Sequence, residues 1–129
     1  MKSVIWMAVL IAASVSAQSN VEPTDGPALY KDYCASCHGA DGKGFGPMSQ
    51  WLKIKSPDLT RLSIREGGKF PLARVERIIL GEVDITSGHG NREMPVWGPE
   101  FSQSSADKDA ARKRANTLAK FIETMQAKD

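Results

Sequence analysis

The chain has 129 residues, 41% hydrophobic and 25% charged, which suits one globular domain and excludes a disordered or collagen-like chain. Seventeen Lys and Arg against fifteen Asp and Glu leave a formal charge of +2, too balanced for a protein whose main task is to hold nucleic-acid phosphates. Two cysteines permit one internal disulfide at most, and the length leaves no room for a dinucleotide-binding domain beside a substrate domain.

Residues 1–17 read as a segment apart from the rest. Lys2 supplies a positive start, Val4 to Ala13 is an unbroken apolar run, and Ser14-Val15-Ser16-Ala17 ends it mostly on small residues. This is the layout of a secretory signal peptide, with cleavage expected between Ala17 and Gln18 and a mature domain of residues 18–129. The rival, an uncleaved membrane anchor, wants about 20 apolar residues, and the run falls short of that. Export predicts a periplasmic protein in an oxidising compartment, with no membrane span after cleavage.

The remainder predicts short helices joined by long glycine-rich loops. A first helix starts at Pro27, where proline's fixed φ and missing N–H are tolerated, with Leu29, Tyr30, Tyr33, Cys34 and Cys37 on one stripe. Gly39, Gly42, Gly44, Gly46 and Pro47 then break the chain into loop. Short helices are expected around Pro47 to Lys53 and Thr60 to Glu66, the latter stopped by Gly67 and Gly68. Pro71 to Leu80 carries Leu72, Val75, Ile78 and Ile79 on one face, with Gly81 as its stop. Asp84 to Pro99 has no apolar period and reads as loop. The last helix is expected from Ala106 to Gln126, with Ala111, Leu118, Phe121, Ile122 and Met125 inward. No stretch alternates at period two beside a hairpin signal, so the expected class is all-α. The apolar residues per helix are few against an ordering cost of about 1.5 kcal/mol per residue, which points to a large apolar cofactor serving as part of the core.

Cys34, Cys37 and His38 form C-x-x-C-H, the covalent haem attachment pattern. Two thiols add to the two vinyl groups of one porphyrin, and the histidine after the second thiol reaches the iron from the face the peptide already occupies. A thioredoxin-like thiol pair wants a βαβ context and gives His38 no task. Half of a zinc site lacks a second ligand pair at workable spacing. For the sixth iron position the candidate is Met94, in Arg92-Glu93-Met94-Pro95-Val96-Trp97-Gly98, a proline-stiffened loop that can close over the open face. The competitors are His89, five residues upstream, then Met48 and Met125, the last better explained by the buried face of the final helix, and a purely core-filling Met94 is the alternative to ligation.

With these motifs the mature chain resembles a single-haem class I c-type cytochrome of bacterial, exported type. The matching pieces are Gly26, Tyr30 and Cys34 at four-residue steps, Cys34-Ala35-Ser36-Cys37-His38-Gly39, Asp41-Gly42-Lys43-Gly44, Pro57-Asp58-Leu59-Thr60, Met94-Pro95-Val96-Trp97, and Leu118 with Phe121 in the last helix. The resemblance implies a bundle of about four to five short helices and long loops around one haem c, the first and last helices crossing near Gly26, where a missing side chain permits close approach. It implies that a proline carbonyl fixes the His38 tautomer, either Pro57, followed by Leu59 against the haem, or Pro47. Trp97 and Trp51 are candidates for haem packing, and Arg61 and Arg65 for the propionates, beside their ordinary readings as core aromatics and solvated cations.

Two protein ligands leave no vacant iron site for a substrate. The expected role is therefore a periplasmic electron carrier and not an enzyme, a monomer docking transiently with a redox donor and acceptor. The alternatives are a haem subunit of a periplasmic dehydrogenase or oxidase complex, and a haem enzyme or gas-binding protein with a labile sixth ligand. Residues 51–77 carry seven positive and three negative side chains and residues 78–107 one positive and five negative, a lopsidedness that fits either a partner site or ordinary solvated faces.

Overall fold

The computed structural model describes residues 24–83, 93–103 and 108–128. The signal-peptide segment, His89, most of the expected 84–99 loop and the expected start at Ala106 lie outside the described residues. Among the described residues the fold is all-α with no strand: six α-helices, two of them single turns, and two short 3-10 turns.

Helix α1 (Gly26–Tyr33) begins one residue before the expected proline. Asp25 caps it by accepting from Ala28 N–H at 2.9 Å, and Pro27 falls in the first turn, where its missing donor costs nothing. The apolar stripe does not continue as one helix through Cys37. Cys34 leaves helical geometry (φ −120°), and α2 (Ala35–His38) restarts as a separate turn. The expected helix over 47–53 is a 3-10 turn, Ser49–Trp51. The one expected over 60–66 is the 3-10 turn Leu59–Arg61 running into α3 (Leu62–Arg65). Asp58 starts that pair by accepting from both the N–H and the hydroxyl of Thr60, at 2.8 and 2.6 Å.

Helix α4 (Leu72–Leu80) buries Val75 and Ile79, four positions apart on one face, and ends at Gly81 as its pattern predicts. Helix α5 (Trp97–Gln103) is a departure from the expected loop. Pro99 sits in its first turn, the one place a helix accepts proline, and Phe101 is fully buried at 0% exposure. Trp97 and Phe101, one turn apart, close an aromatic cluster with Tyr33, whose ring meets theirs edge-on at 5.2 and 5.1 Å.

Helix α6 (Lys108–Thr124) is the spine, packing against α1, α4 and α5. Ala111, Leu118 and Ile122 are buried and Phe121 and Met125 pack partly buried on the core, the face the sequence predicts. Ala115 and Ala119 are also fully buried, and their small size lets the neighbouring helices close on the spine. Helix α1 comes close to it at Gly26, where an added Cβ would stand 2.5 Å from the Cβ of Phe121 and 3.2 Å from the Thr117 carbonyl. One turn on, Tyr30 packs its ring 5.5 Å from that of Phe121 and donates its buried hydroxyl to Gly39 O at 2.8 Å. The core thus sits between α1, α4, α5 and α6, and its inner face passes into a cavity below α2. Among the described residues no helix is long and apolar enough to cross a membrane.

Candidate functional site

The cavity, about 500 Å³, has the size of a small-molecule or cofactor site. Cys34, Cys37, His38, Pro57, Leu59, Met94 and Trp97, the seven residues singled out from the sequence, all line it. The rest of the wall is mainly aliphatic: Leu52, Ile54, Leu62, Val75, Ile78, Ile79 and Ile122. Five separate stretches of chain converge on it, 32–38, 52–62, 75–79, 93–97 and Ile122, so the fold brings together Cys34 and Met94 from 60 positions apart.

The cysteine–histidine edge is set by the break between α1 and α2. The loop after α2 folds back on it, with Gly44 N–H donating to His38 O at 2.7 Å, Gly46 N–H to Cys37 O at 3.1 Å and Met48 N–H to Ser36 O at 2.8 Å. Gly44 is required here: its φ is +88°, and a Cβ would run into the carbonyl oxygen of Ser56. This contact brings the loop against the segment that carries Pro57.

His38 is buried, and its Nδ1 lies 3.2 Å from Pro57 O. A carbonyl only accepts, so Nδ1 carries the proton and Nε2 is the nitrogen left for a metal. Burial pulls the imidazole below its usual pKa, with the Pro57 bond opposing, so the ring is neutral, the form that ligates. Pro47 is exposed and its carbonyl receives Gln50 Nε2 at 3.2 Å, so it is Pro57 that meets the imidazole.

Both cysteines are unpaired thiols. Burial, with Cys37 nearby, pushes the Cys34 thiol up to about 12. A dithiol exchange site needs the opposite, an accessible thiol with a lowered pKa. Among the described residues no three His, Cys, Asp or Glu side chains are grouped as a metal site would need.

Met94 and Trp97 come from the start of α5 and the stretch before it, both half-buried against the core. Other sequence candidates lie elsewhere. Trp51 is 74% exposed and does not line the cavity, so it is no packing partner for anything bound there. Arg61 and Arg65 are exposed and absent from the wall, and Arg65 instead donates to Asp58 O.

One participant escapes the sequence patterns. Glu93, immediately before Met94, accepts from two consecutive backbone amides, Lys53 N–H at 2.9 Å and Ile54 N–H at 2.6 Å. A carboxylate answering main-chain donors about 40 positions away leaves no period or motif to read.

An imidazole with a fixed tautomer, a thioether, two thiols on one edge and an aliphatic wall fit a covalently attached, axially ligated porphyrin. The family model described as cytochrome C oxidase, cbb3-type, subunit III, matches residues 21–113 of the chain. No curated protein and no solved structure matches it.

Proposed function

The chain belongs to the cytochrome c family described by the cbb3-type oxidase subunit III model, which carries covalently bound haem c and serves electron transfer; from that membership we propose that it is a periplasmic one-electron carrier with His38 and Met94 as axial ligands. The observation that carries the reading is the single aliphatic cavity wall on which Cys34, Cys37, His38 and Met94 meet. Haem c bound there supplies a ferrous/ferric couple. The chain does the rest. Cys34 and Cys37 would hold the haem covalently, one thioether bond from each. Pro57 O holds the His38 ring, fixing the tautomer and raising its basicity as a ligand. Leu59, Trp97 and the aliphatic wall keep water away, and with Met94 they set the potential. With His38 and Met94 both holding the iron no position would be left for a substrate, which supports a carrier over an enzyme. Residues 1–17 are proposed to be a signal peptide that directs export.

The test is expression with a haem-attachment system, followed by haem staining after denaturing electrophoresis and a redox titration. The account expects haem that stays with the chain, a one-electron Nernst response, and loss of attachment when Cys34 and Cys37 are both replaced by alanine. A colourless protein with a Cys34–Cys37 disulfide would contradict it. The family description also favours a second reading, a haem subunit of a terminal oxidase complex. Affinity purification from solubilised membranes separates the two: a free carrier leaves alone, whereas a subunit brings a membrane oxidase in fixed stoichiometry.

A further inference from the structure

The segment 53–57 touches both sides of the cavity. At one end the N–H groups of Lys53 and Ile54 are held by the Glu93 carboxylate, at 2.9 and 2.6 Å; at the other, Pro57 O holds His38 Nδ1 at 3.2 Å. Between them Ile54, Lys55, Ser56 and Pro57 form part of the wall itself. One five-residue stretch is therefore tied to His38 directly and to the residue covalently adjacent to Met94.

The tie at the Met94 end has features of a specific contact. Glu93 is half-buried, it spends both carboxylate oxygens on main-chain donors, and each bond is charge-assisted, which makes it stronger than a neutral amide pair. Lys53 and Ile54 lie beyond the 3-10 turn Ser49–Trp51, so their amides fall outside helical bonding and take Glu93 as acceptor.

We infer that Glu93 is a latch: by bonding the backbone of Lys53 and Ile54 it pins the Met94 segment across the cavity and keeps the sixth axial position closed to external ligands. Glu93 also lines the cavity, but both its carboxylate oxygens are bonded to the Lys53 and Ile54 amides, so it is a positioning residue that acts through Met94 and the 53–57 segment. This rests on the His38/Met94 reading of the preceding subsection.

An external ligand reaches the iron only from the state in which Met94 has swung away, so its apparent affinity is the intrinsic one scaled by the fraction of open molecules. Removing two charge-assisted bonds from the closed state alone raises that fraction by about tenfold or more. Folding of the helical core, in which Glu93 takes no part, is largely spared.

The experiment titrates imidazole into the ferric holoprotein for wild type, Glu93→Ala, Glu93→Gln and Glu93→Asp, with denaturation midpoints from far-ultraviolet circular dichroism alongside. Expected is imidazole binding tightened by about tenfold in Glu93→Ala, less in Glu93→Gln, which retains one acceptor oxygen, and partly restored in Glu93→Asp, which keeps the charge. Glu66→Ala, which removes a surface carboxylate bonded to Arg74, leaves imidazole binding at the wild-type value. If the wild type carries the optical signature of methionine ligation and Glu93→Ala binds imidazole no more tightly, the latch is overturned and the carrier reading stands. A wild type that lacks that signature and binds imidazole freely overturns both. Tightening that merely tracks a fall in the global midpoint across all variants reduces Glu93 to a general stabiliser and also overturns the latch.

Discussion

Replacing Gly26 with alanine tests the crossing on which the fold is built. The new Cβ would stand 2.5 Å from the Cβ of Phe121, 3.2 Å from its Cγ and 3.2 Å from the Thr117 carbonyl oxygen. The closest of these atoms is a Cβ, which every side chain except glycine has. Rotation of the Phe121 ring therefore cannot relieve the contact, and α1 and α6 must separate by some tenths of an ångström. Overpacking of this kind costs about 1–3 kcal/mol. Alanine recovers part of that through its helix propensity, up to about 1 kcal/mol in a helix interior and less in a first turn. The net expectation is a loss of about 1–2 kcal/mol, or a melting point lower by about 4–8 °C per kcal/mol for a domain near 100 residues. Denaturant titrations of wild type, Gly26→Ala, Phe121→Ala and the double variant measure it. Gly26 does not line the cavity, so the haem spectrum of the folded variant should match the wild type. Phe121→Ala should fail to rescue Gly26→Ala. A neutral or stabilising Gly26→Ala would show that the crossing has room for a side chain, and full rescue by Phe121→Ala would show that the ring and not the backbone is the obstacle; either result overturns the prediction.

Tyr30→Phe removes the hydroxyl that bonds Gly39 O at 2.8 Å and leaves that carbonyl with the Gly42 N–H alone, at 3.1 Å, at an expected cost of about 1 kcal/mol by denaturant midpoint. Burial raises the Tyr30 hydroxyl above its usual pKa, so its contribution is present below the unfolded value and is lost as pH rises past about 10, and the gap between the two proteins should narrow there. Asp58→Ala removes the cap of the Leu59–Arg61 turn and should cost about 0.5–2 kcal/mol at neutral pH. The Thr60 hydroxyl, with help from Thr60 N–H and the arginines at 61 and 65, holds the Asp58 carboxyl below its usual pKa. Its contribution is therefore present above the unfolded value and lost on acidification, so the two stability curves should converge as pH falls below about 4.

Where the chain signals its structure locally, the sequence is readable. Val75 and Ile79 with the Gly81 stop define α4, and the inward face of α6 follows its apolar spacing. The Gly26–Tyr30 step marks the helix crossing because glycine and tyrosine do different jobs one turn apart: one admits Phe121, the other packs on it. Helix α5 is not readable in the same way. Its apolar content is two aromatics one turn apart, Trp97 and Phe101, in a stretch that opens with glycine and proline, and what stabilises it is a tertiary aromatic cluster with Tyr33. Burial of Ala115 and Ala119 is likewise hidden, since alanine favours an exposed helix face as readily as a packed one. At the site, C-x-x-C-H is legible because covalent attachment dictates its spacing. Which of two prolines meets His38 depends on the path of the 45–55 segment, and the Glu93 contact is settled only when the chain has folded.

The central claim is that His38 and Met94 close both faces of a covalently held haem. Its most direct test is addition of carbon monoxide to the dithionite-reduced holoprotein, read in the visible spectrum for wild type and Met94→Ala. The wild-type spectrum is expected to stay unchanged, whereas Met94→Ala shifts at once to a carbon monoxide adduct and has a lower reduction potential. Ready binding by the wild type, with Met94→Ala indistinguishable from it, would contradict the claim and identify an open iron site.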